Sequence, residues 1–89
     1  MKTPNVDLAV FTTSLVVRDK CAIVYISHDE DGTWEFHSKE NVSTDMAMVI
    51  SLGEILEIDP TVRMVLDMPE GSEAHRASSS SDWIVISRG

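Results

Sequence analysis

HDEDGTWEFH, residues 28–37, contains two histidines, three consecutive acids, a glycine and a tryptophan within ten positions. Its two ends belong to runs rich in β-branched and aromatic residues, Cys21–His28 and Thr33–Ser38, and such runs are typical of β-strands. Asp31-Gly32 between them predicts a hairpin, because glycine readily adopts the positive φ that a tight turn needs. We therefore expect an antiparallel hairpin at the centre of a sheet.

The sequence is compatible with two registers of this hairpin, which differ in the side chains that share a face. A two-residue turn pairs His28 with Glu35 and places His37 on the same face as both. A three-residue loop that ends at Gly32 pairs His28 with Trp34 instead, which moves Glu35 and His37 to the opposite face. The second register also gathers the large apolar residues of both strands on one face, so burial favours it.

The first register would bring His28, Glu35 and His37 together as a candidate metal or catalytic site. Two imidazoles and one carboxylate are suitable ligands for zinc or non-haem iron. This spacing is, however, much less specific than a helical HExxH motif. Metal binding or catalysis at these residues is therefore an alternative function. The main prediction is that the chain binds no metal or other cofactor and that the acids at positions 29–31 form a solvated hairpin tip.

Five further segments are predicted to be extended. They are Leu8–Thr13, Ser14–Val17, Met46–Ile50, Ser72–Ala77 and Trp83–Ile86.

Two consecutive helices are predicted between the third and fourth of these extended segments. Ser51 and Glu54 have the spacing of a capping box, which predicts a helix that begins at Ser51 and ends at Asp59-Pro60. Pro60 suits the first position of a second helix, with Asp59 as its N-cap. The expected fold is α+β: a small, mainly antiparallel sheet with a central β-hairpin and two short consecutive helices packed on one face. At this length the chain forms one domain, residues 1–89.

The composition is that of a small acidic globular protein of 89 residues, with 43% hydrophobic and 25% charged residues. Fifteen acidic and seven basic residues give a net charge of −8, which disfavours nucleic acid and favours a basic protein as partner. No segment is long and apolar enough for a membrane helix, and the apolar N-terminal stretch lacks a signal-peptide cleavage site. We expect a cytoplasmic protein that binds neither nucleic acid nor membranes.

The residues that can perform catalysis lack recognisable partners in the sequence. Cys21 is the only cysteine, which excludes an intramolecular disulfide and fits a reducing compartment. His75 has no paired acid or nucleophile at a recognisable spacing. The four glycines form neither a phosphate-binding loop nor a dinucleotide fingerprint. We therefore predict that the chain is not an enzyme.

Three blocks of sequence together resemble a known bacterial family of small proteins. The blocks are HDEDGTWEF at 28–36, LGEILEIDP at 52–60 and LDMPEG at 66–71, and Trp83 follows them. The family was first described as a domain of unknown function and later grouped with the predicted immunity proteins of polymorphic toxin systems, as the thirty-third such grouping. The resemblance covers about residues 21–83.

The resemblance implies an intracellular α+β domain that binds and neutralises a partner toxin, and it implies no catalytic residues. An acidic surface would suit a basic partner of this kind. Trp34 and Trp83 are predicted to lie in the core, and either becomes a contact residue if it is exposed. Self-association into a homodimer through an uncovered strand edge or an exposed tryptophan is a third possible function. The candidate protein-binding residues are Glu54, Glu57, Asp59, Asp67, Glu70, Glu73, Trp34 and Trp83.

Overall fold

The computed structural model describes residues 4–40 and 43–87. Six strands form one sheet: β1 (Ala9–Thr13), β2 (Tyr25–His28), β3 (Trp34–His37), β4 (Ala47–Ser51), β5 (Ser72–His75) and β6 (Ile84–Ser87). The α-helices are α1 (Ser14–Val17) and α2 (Leu52–Ile58), and 3₁₀ helices span Thr44–Met46 and Pro60–Val65. The strand order is β4-β1-β3-β2-β5-β6. Neighbouring strands are antiparallel except for β1 and β3, which are parallel, so the predicted α+β fold with a mainly antiparallel sheet is confirmed.

The β2–β3 hairpin adopts the register with a three-residue loop. His28 pairs with Trp34 and Ile26 pairs with Phe36, as burial favoured. The loop is closed by a hydrogen bond of 2.8 Å from the Asp29 N–H to the Thr33 carbonyl oxygen. Gly32 ends the loop at a φ of +92°, a conformation that residues with a Cβ rarely adopt. The turn therefore specifies the register of the central strands.

One face of the sheet is covered by α2 and the Pro60–Val65 helix and holds the core. Ile26 and Phe36 are fully buried there, because alternate residues of a strand point to the same face. The amphipathic α2 supplies Leu52, Ile55 and Leu56 to the same core. Burial of this apolar surface is the main favourable contribution to folding.

Both predicted helices form, and both use the predicted caps. Ser51 Oγ accepts a hydrogen bond of 3.2 Å from the Glu54 N–H, and the Glu54 carboxylate accepts one of 3.1 Å from the Ser51 N–H. Asp59 caps the second helix by accepting from the Thr61 N–H at 3.0 Å. Pro60 opens this helix, which is 3₁₀ and contains the buried residues Val62 and Val65.

The segment Ser14–Val17 was predicted to be extended, and this prediction was wrong. It forms the single-turn helix α1, in which the Arg18 N–H donates to the Ser14 carbonyl oxygen at 2.8 Å. The turn places Val16 in the core, where it is fully buried. β-Propensity reflects packing on a pleated surface, so it gives way when a helical turn buries the same side chain at the end of a strand.

Within residues 4–40 and 43–87, no helix combines the length and the apolar character needed to cross a bilayer.

The turn at Gly32 can be tested with a matched pair of glycine substitutions. In Gly32→Ala the alanine would have to adopt a φ of +92°, and its new Cβ would lie 3.3 Å from Glu70 Oε2. We expect this variant to lose about 1 kcal/mol or more of unfolding free energy in urea denaturation. Gly53→Ala lies in α2, where the new Cβ makes ordinary contact with Val6 at 3.4 Å. It should keep its stability or gain up to about 1 kcal/mol from helix propensity. Equal losses in both variants would contradict this account of the turn.

Candidate functional site on the open face of the sheet

The face of the sheet opposite α2 and the Pro60–Val65 helix carries a continuous row of side chains, one from each strand. We call this face the open face. The strand registers connect each member of the row to the next, from one edge strand to the other. Five strand spacings of about 4.8 Å give the row a length of about 24 Å. In order across the sheet, its members are Val49, Phe11, Glu35, Ser27, Glu73 and Ile86.

Both ends of the open face are apolar and exposed. On one side Phe11 keeps 46% and Val49 keeps 59% of its surface accessible. On the other side Ile84 keeps 56% and Ile86 keeps 43%. Single exposed apolar residues are normal, whereas neighbouring exposed apolar residues, as at each end of this face, form patches of the kind that interaction surfaces use.

The middle of the open face is polar, and its side chains are bonded to one another. His37 Nε2 and Glu35 Oε1 lie 3.1 Å apart, and the Tyr25 hydroxyl donates to Glu73 at 3.2 Å. The six described strands contain two formally charged residues, Glu35 and Glu73, and neither lysine nor arginine. The formal charge of these strands is therefore negative.

A cavity of about 330 Å³ lies where β1, β3 and β4 meet the Thr44–Met46 helix. Thr13 is 2% exposed in its wall, and its hydroxyl has no hydrogen-bond partner among the described residues. Glu35 and His37 contribute the ionisable groups, and Phe11 contributes an aromatic ring. We call this cavity the Thr13 pocket. Its lining residues are Phe11, Thr12, Thr13, Glu35, His37, Ser43, Thr44 and Ala47.

The register separates the three candidate metal ligands. Glu35 and His37 lie on the open face, whereas His28 lies on the covered face, where its ring stacks on Trp34 at 3.9 Å between centroids. His28 Nδ1 lies 3.0 Å from the Met68 carbonyl oxygen, which can only accept, so this nitrogen carries the proton. The hypothesis of one site made of His28, Glu35 and His37 is therefore wrong, because the sheet separates them. In the described part of the chain, no three His, Cys, Asp or Glu residues are grouped as metal ligands.

Three of the candidate contact residues have internal roles instead. Trp34 is 2% exposed and belongs to the core. Trp83 is half-buried, and its ring lies 4.0 Å from Cζ of Arg76, in a cation–π contact. Asp59 forms an ion pair with the same guanidinium group, whose side chain is 1% exposed.

Arg76 joins three parts of the fold through this cluster. Its Nε and Nη2 donate to the Ile23 carbonyl oxygen at 2.9 and 2.8 Å, and its Nη1 donates to Thr61 Oγ1 at 2.9 Å. A buried guanidinium needs such partners, because an unpaired charge in the interior is strongly destabilising. Asp59 and Trp83 therefore stabilise the fold, and their side chains are not free for a partner.

The remaining acids of the predicted cluster are distributed over different surfaces. Glu54 and Glu57 are exposed on α2, on the helical side of the sheet. Glu73 lies on the open face, as the burial of Ala74 beside it requires. Asp67 and Glu70 are exposed after the Pro60–Val65 helix, and Glu70 lies beside the hairpin turn. The acids that form one cluster in the sequence therefore lie on several different surfaces of the structure.

Sequence reasoning missed the apolar residues of the open face and the Thr13 pocket. The only local signal was the alternation in β1, where Val10 and Thr12 are buried and Phe11 is exposed. A sequence pattern of this kind shows two faces, but it does not show which face the helices cover. That choice depends on the packing of α2 and on the strand order.

Cys21 does not have the environment of a catalytic thiol. Burial raises the pKa of this half-buried thiol, and the nearby carboxylates of Glu40 and Asp19 raise it further. A reactive cysteine needs the opposite, a pKa lowered by neighbouring cations or a helix N-terminus.

Comparison with protein-family models, with curated proteins and with solved structures gives no significant match for this chain. The resemblance to the immunity grouping therefore stays a prediction.

The raised pKa predicts slow alkylation of Cys21. We expect iodoacetamide to modify it more slowly than glutathione at pH 7.5, with the midpoint of the rate–pH profile above the ordinary thiol range. Glu40→Gln should move the midpoint to lower pH, because it removes a negative charge that opposes the thiolate. Asp67→Asn, on another exposed segment, is the matched control and should leave the midpoint unchanged. A midpoint below the ordinary range would instead indicate an activated cysteine.

Proposed function

We propose that this chain is a cytoplasmic protein-binding domain that acts as an immunity-like protein, with no catalytic function, and covers a basic surface of a partner toxin with its open face. The observation that carries the proposal is the row across the sheet, apolar at both ends and acidic in the middle. The resemblance to predicted immunity proteins points to the same class of function.

The apolar ends of the open face supply the contacts that give an interface its affinity. Binding energy is concentrated in a few large side chains that become fully desolvated when the partner binds. Phe11 is the strongest such residue here, because it is aromatic and 46% exposed. A partner surface with apolar residues on both sides of a basic centre would complement this face.

The charge of the chain supports a basic partner. The net charge is −8, and both formal charges within the strands are carboxylates. Complementary charge accelerates association and selects against acidic partners. The exposed acids of α2, Glu54 and Glu57, lie on the other side of the sheet, so they act through the long-range field and not through contact.

Affinity capture with surface variants tests this proposal. The tagged full chain would be incubated with lysate of its source organism at low and at moderate salt, and the bound proteins identified by mass spectrometry. We expect one basic protein whose retention falls as salt rises. The double variant Phe11→Glu, Ile86→Glu should lose this protein, because it places charge at both apolar ends of the open face.

Met64→Glu is the matched control. Met64 is the most exposed of the large apolar residues described, at 73%, and it lies on the Pro60–Val65 helix, away from the open face. This variant should retain the partner. Loss of the partner in both variants, or its retention by the double variant, would contradict binding at the open face. Circular dichroism of each variant verifies that the fold is intact.

A second function, self-association, is favoured by the exposed edge strand β6. Ile84, Val85 and Ile86 are all exposed, and β6 is the last strand in the sheet order. Val85 points to the covered face but keeps 48% of its surface accessible. An apolar edge strand with unpaired backbone groups is a template for pairing with a second copy.

Light scattering at increasing protein concentration tests self-association. Antiparallel pairing of two β6 strands predicts a dimer mass at high concentration, and Val85→Lys should restore the monomer mass because edge lysines block strand pairing. Val49→Lys, on the opposite edge strand β4, is the control and should remain dimeric. A monomer mass for the unmodified chain at every concentration would exclude this function.

A further inference from the structure

The Thr13 pocket has a chemistry of its own within the open face. We propose that it binds the guanidinium group of an arginine side chain presented by the partner protein, an inference that rests on the proposed function. Carboxylate, hydroxyl and aromatic groups line one cavity of about 330 Å³, and carbon atoms make up most of its exposed wall. These groups match the three parts of an arginine side chain: charge, donors and an apolar stem.

The charge of the pocket selects a cation. Among the described residues the hydrogen-bond partner of Glu35 is His37, through Oε1, and the Glu35 side chain is 38% exposed. Oε2 is therefore left to accept from a ligand. Neither lysine nor arginine is among the described residues that line the cavity, so these residues offer an anion no formal counter-charge.

The Thr13 side chain lines the cavity, and rotation of its hydroxyl toward the cavity would present a second acceptor to a ligand. It is buried and has no partner among the residues that the structure describes. A buried polar group without a partner is unfavourable, so a ligand that donates a hydrogen bond to it is preferred over an apolar one. Guanidinium has five donors in a planar fork and can bond a carboxylate and a hydroxyl at once.

The aromatic ring and the small apolar residue complete the match. Phe11 and Ala47 both line the cavity. Guanidinium groups stack on aromatic faces more readily than ammonium groups do, and the methylene stem of arginine packs on apolar surface. Among the described lining residues a metal ion would find only Glu35 and His37 as strong ligands, which is fewer than a stable site needs.

NMR titration of the full chain with small arginine analogues tests the pocket directly. N-acetyl-arginine amide at millimolar concentration should shift the amide signals of Phe11, Thr13 and His37. N-acetyl-citrulline amide has nearly the same shape without the charge, and we expect it to bind at least tenfold more weakly. Equal binding of the two probes, or shifts confined to residues outside the pocket, would overturn the inference.

Two variants and one control locate the binding groups. Glu35→Gln should weaken the arginine probe at least tenfold, and Thr13→Val should weaken it severalfold without loss of stability, because it removes a hydroxyl that has no partner. Glu73→Gln changes the other strand carboxylate of the open face, outside the pocket, and should leave probe affinity within twofold. Equal effects of Glu35→Gln and Glu73→Gln would contradict a specific pocket.

The probe titration tests the pocket and the affinity capture tests the open face, so either hypothesis can be wrong without the other. If the partner is lost in the Phe11→Glu, Ile86→Glu variant but the arginine probe does not bind, the open face is the interface and the pocket inference is wrong. If the probe binds with the expected selectivity but no partner depends on the open face, the pocket recognises guanidinium and the proposed function is wrong.

Discussion

The three-residue turn between β2 and β3 is the constraint on which the rest of the structure depends. Gly32 takes a φ of +92°, and the Asp29 N–H bonds the Thr33 carbonyl oxygen, which aligns Ile26 with Phe36. A shift of one residue would exchange the two faces of the hairpin and bring Glu35 and His37 into the core. The hairpin register also determines which residues of the neighbouring strands share each face, since β3 pairs with β1 and β2 pairs with β5.

The two faces of the sheet consequently have different roles. The covered face holds Ile26, Phe36 and the buried residues of α2, and it provides the apolar burial that stabilises the domain. The open face is covered by neither α2 nor the Pro60–Val65 helix. Its polar residues are bonded to each other, Tyr25 to Glu73 across neighbouring strands and His37 to Glu35 within β3. The helices thus leave exposed the surface from which we infer function.

The acids of this protein are not equivalent, although they are counted together in the net charge. Asp59 is part of the buried cluster around Arg76, and Glu54 caps its own helix. Glu35 and Glu73 are the acids placed within the sheet. An acidic composition therefore favours a basic partner in general, whereas only the position of each carboxylate indicates where that partner would bind.

The sequence by itself determined the features that depend on neighbouring residues: the turn at Gly32, the capping box of Ser51 and Glu54, and the N-cap at Asp59. Each of these is settled by the φ preference of one residue or by hydrogen bonds over two to four positions. Burial of the apolar residues also indicated the correct hairpin register. The prediction for Ser14–Val17 was wrong because it relied on local β-propensity, which is weak compared with the burial of Val16.

Only the tertiary structure decided the parallel pairing of β1 with β3, the side on which α2 packs and the cluster of Asp59, Arg76 and Trp83. These features join residues distant along the chain, and many alternative pairings satisfy the same local preferences. The Thr13 pocket belongs to this group, since it forms only when three strands and a helix meet. A site assembled from such long-range contacts leaves no local pattern in the sequence, because its free energy comes from the packing of the whole sheet.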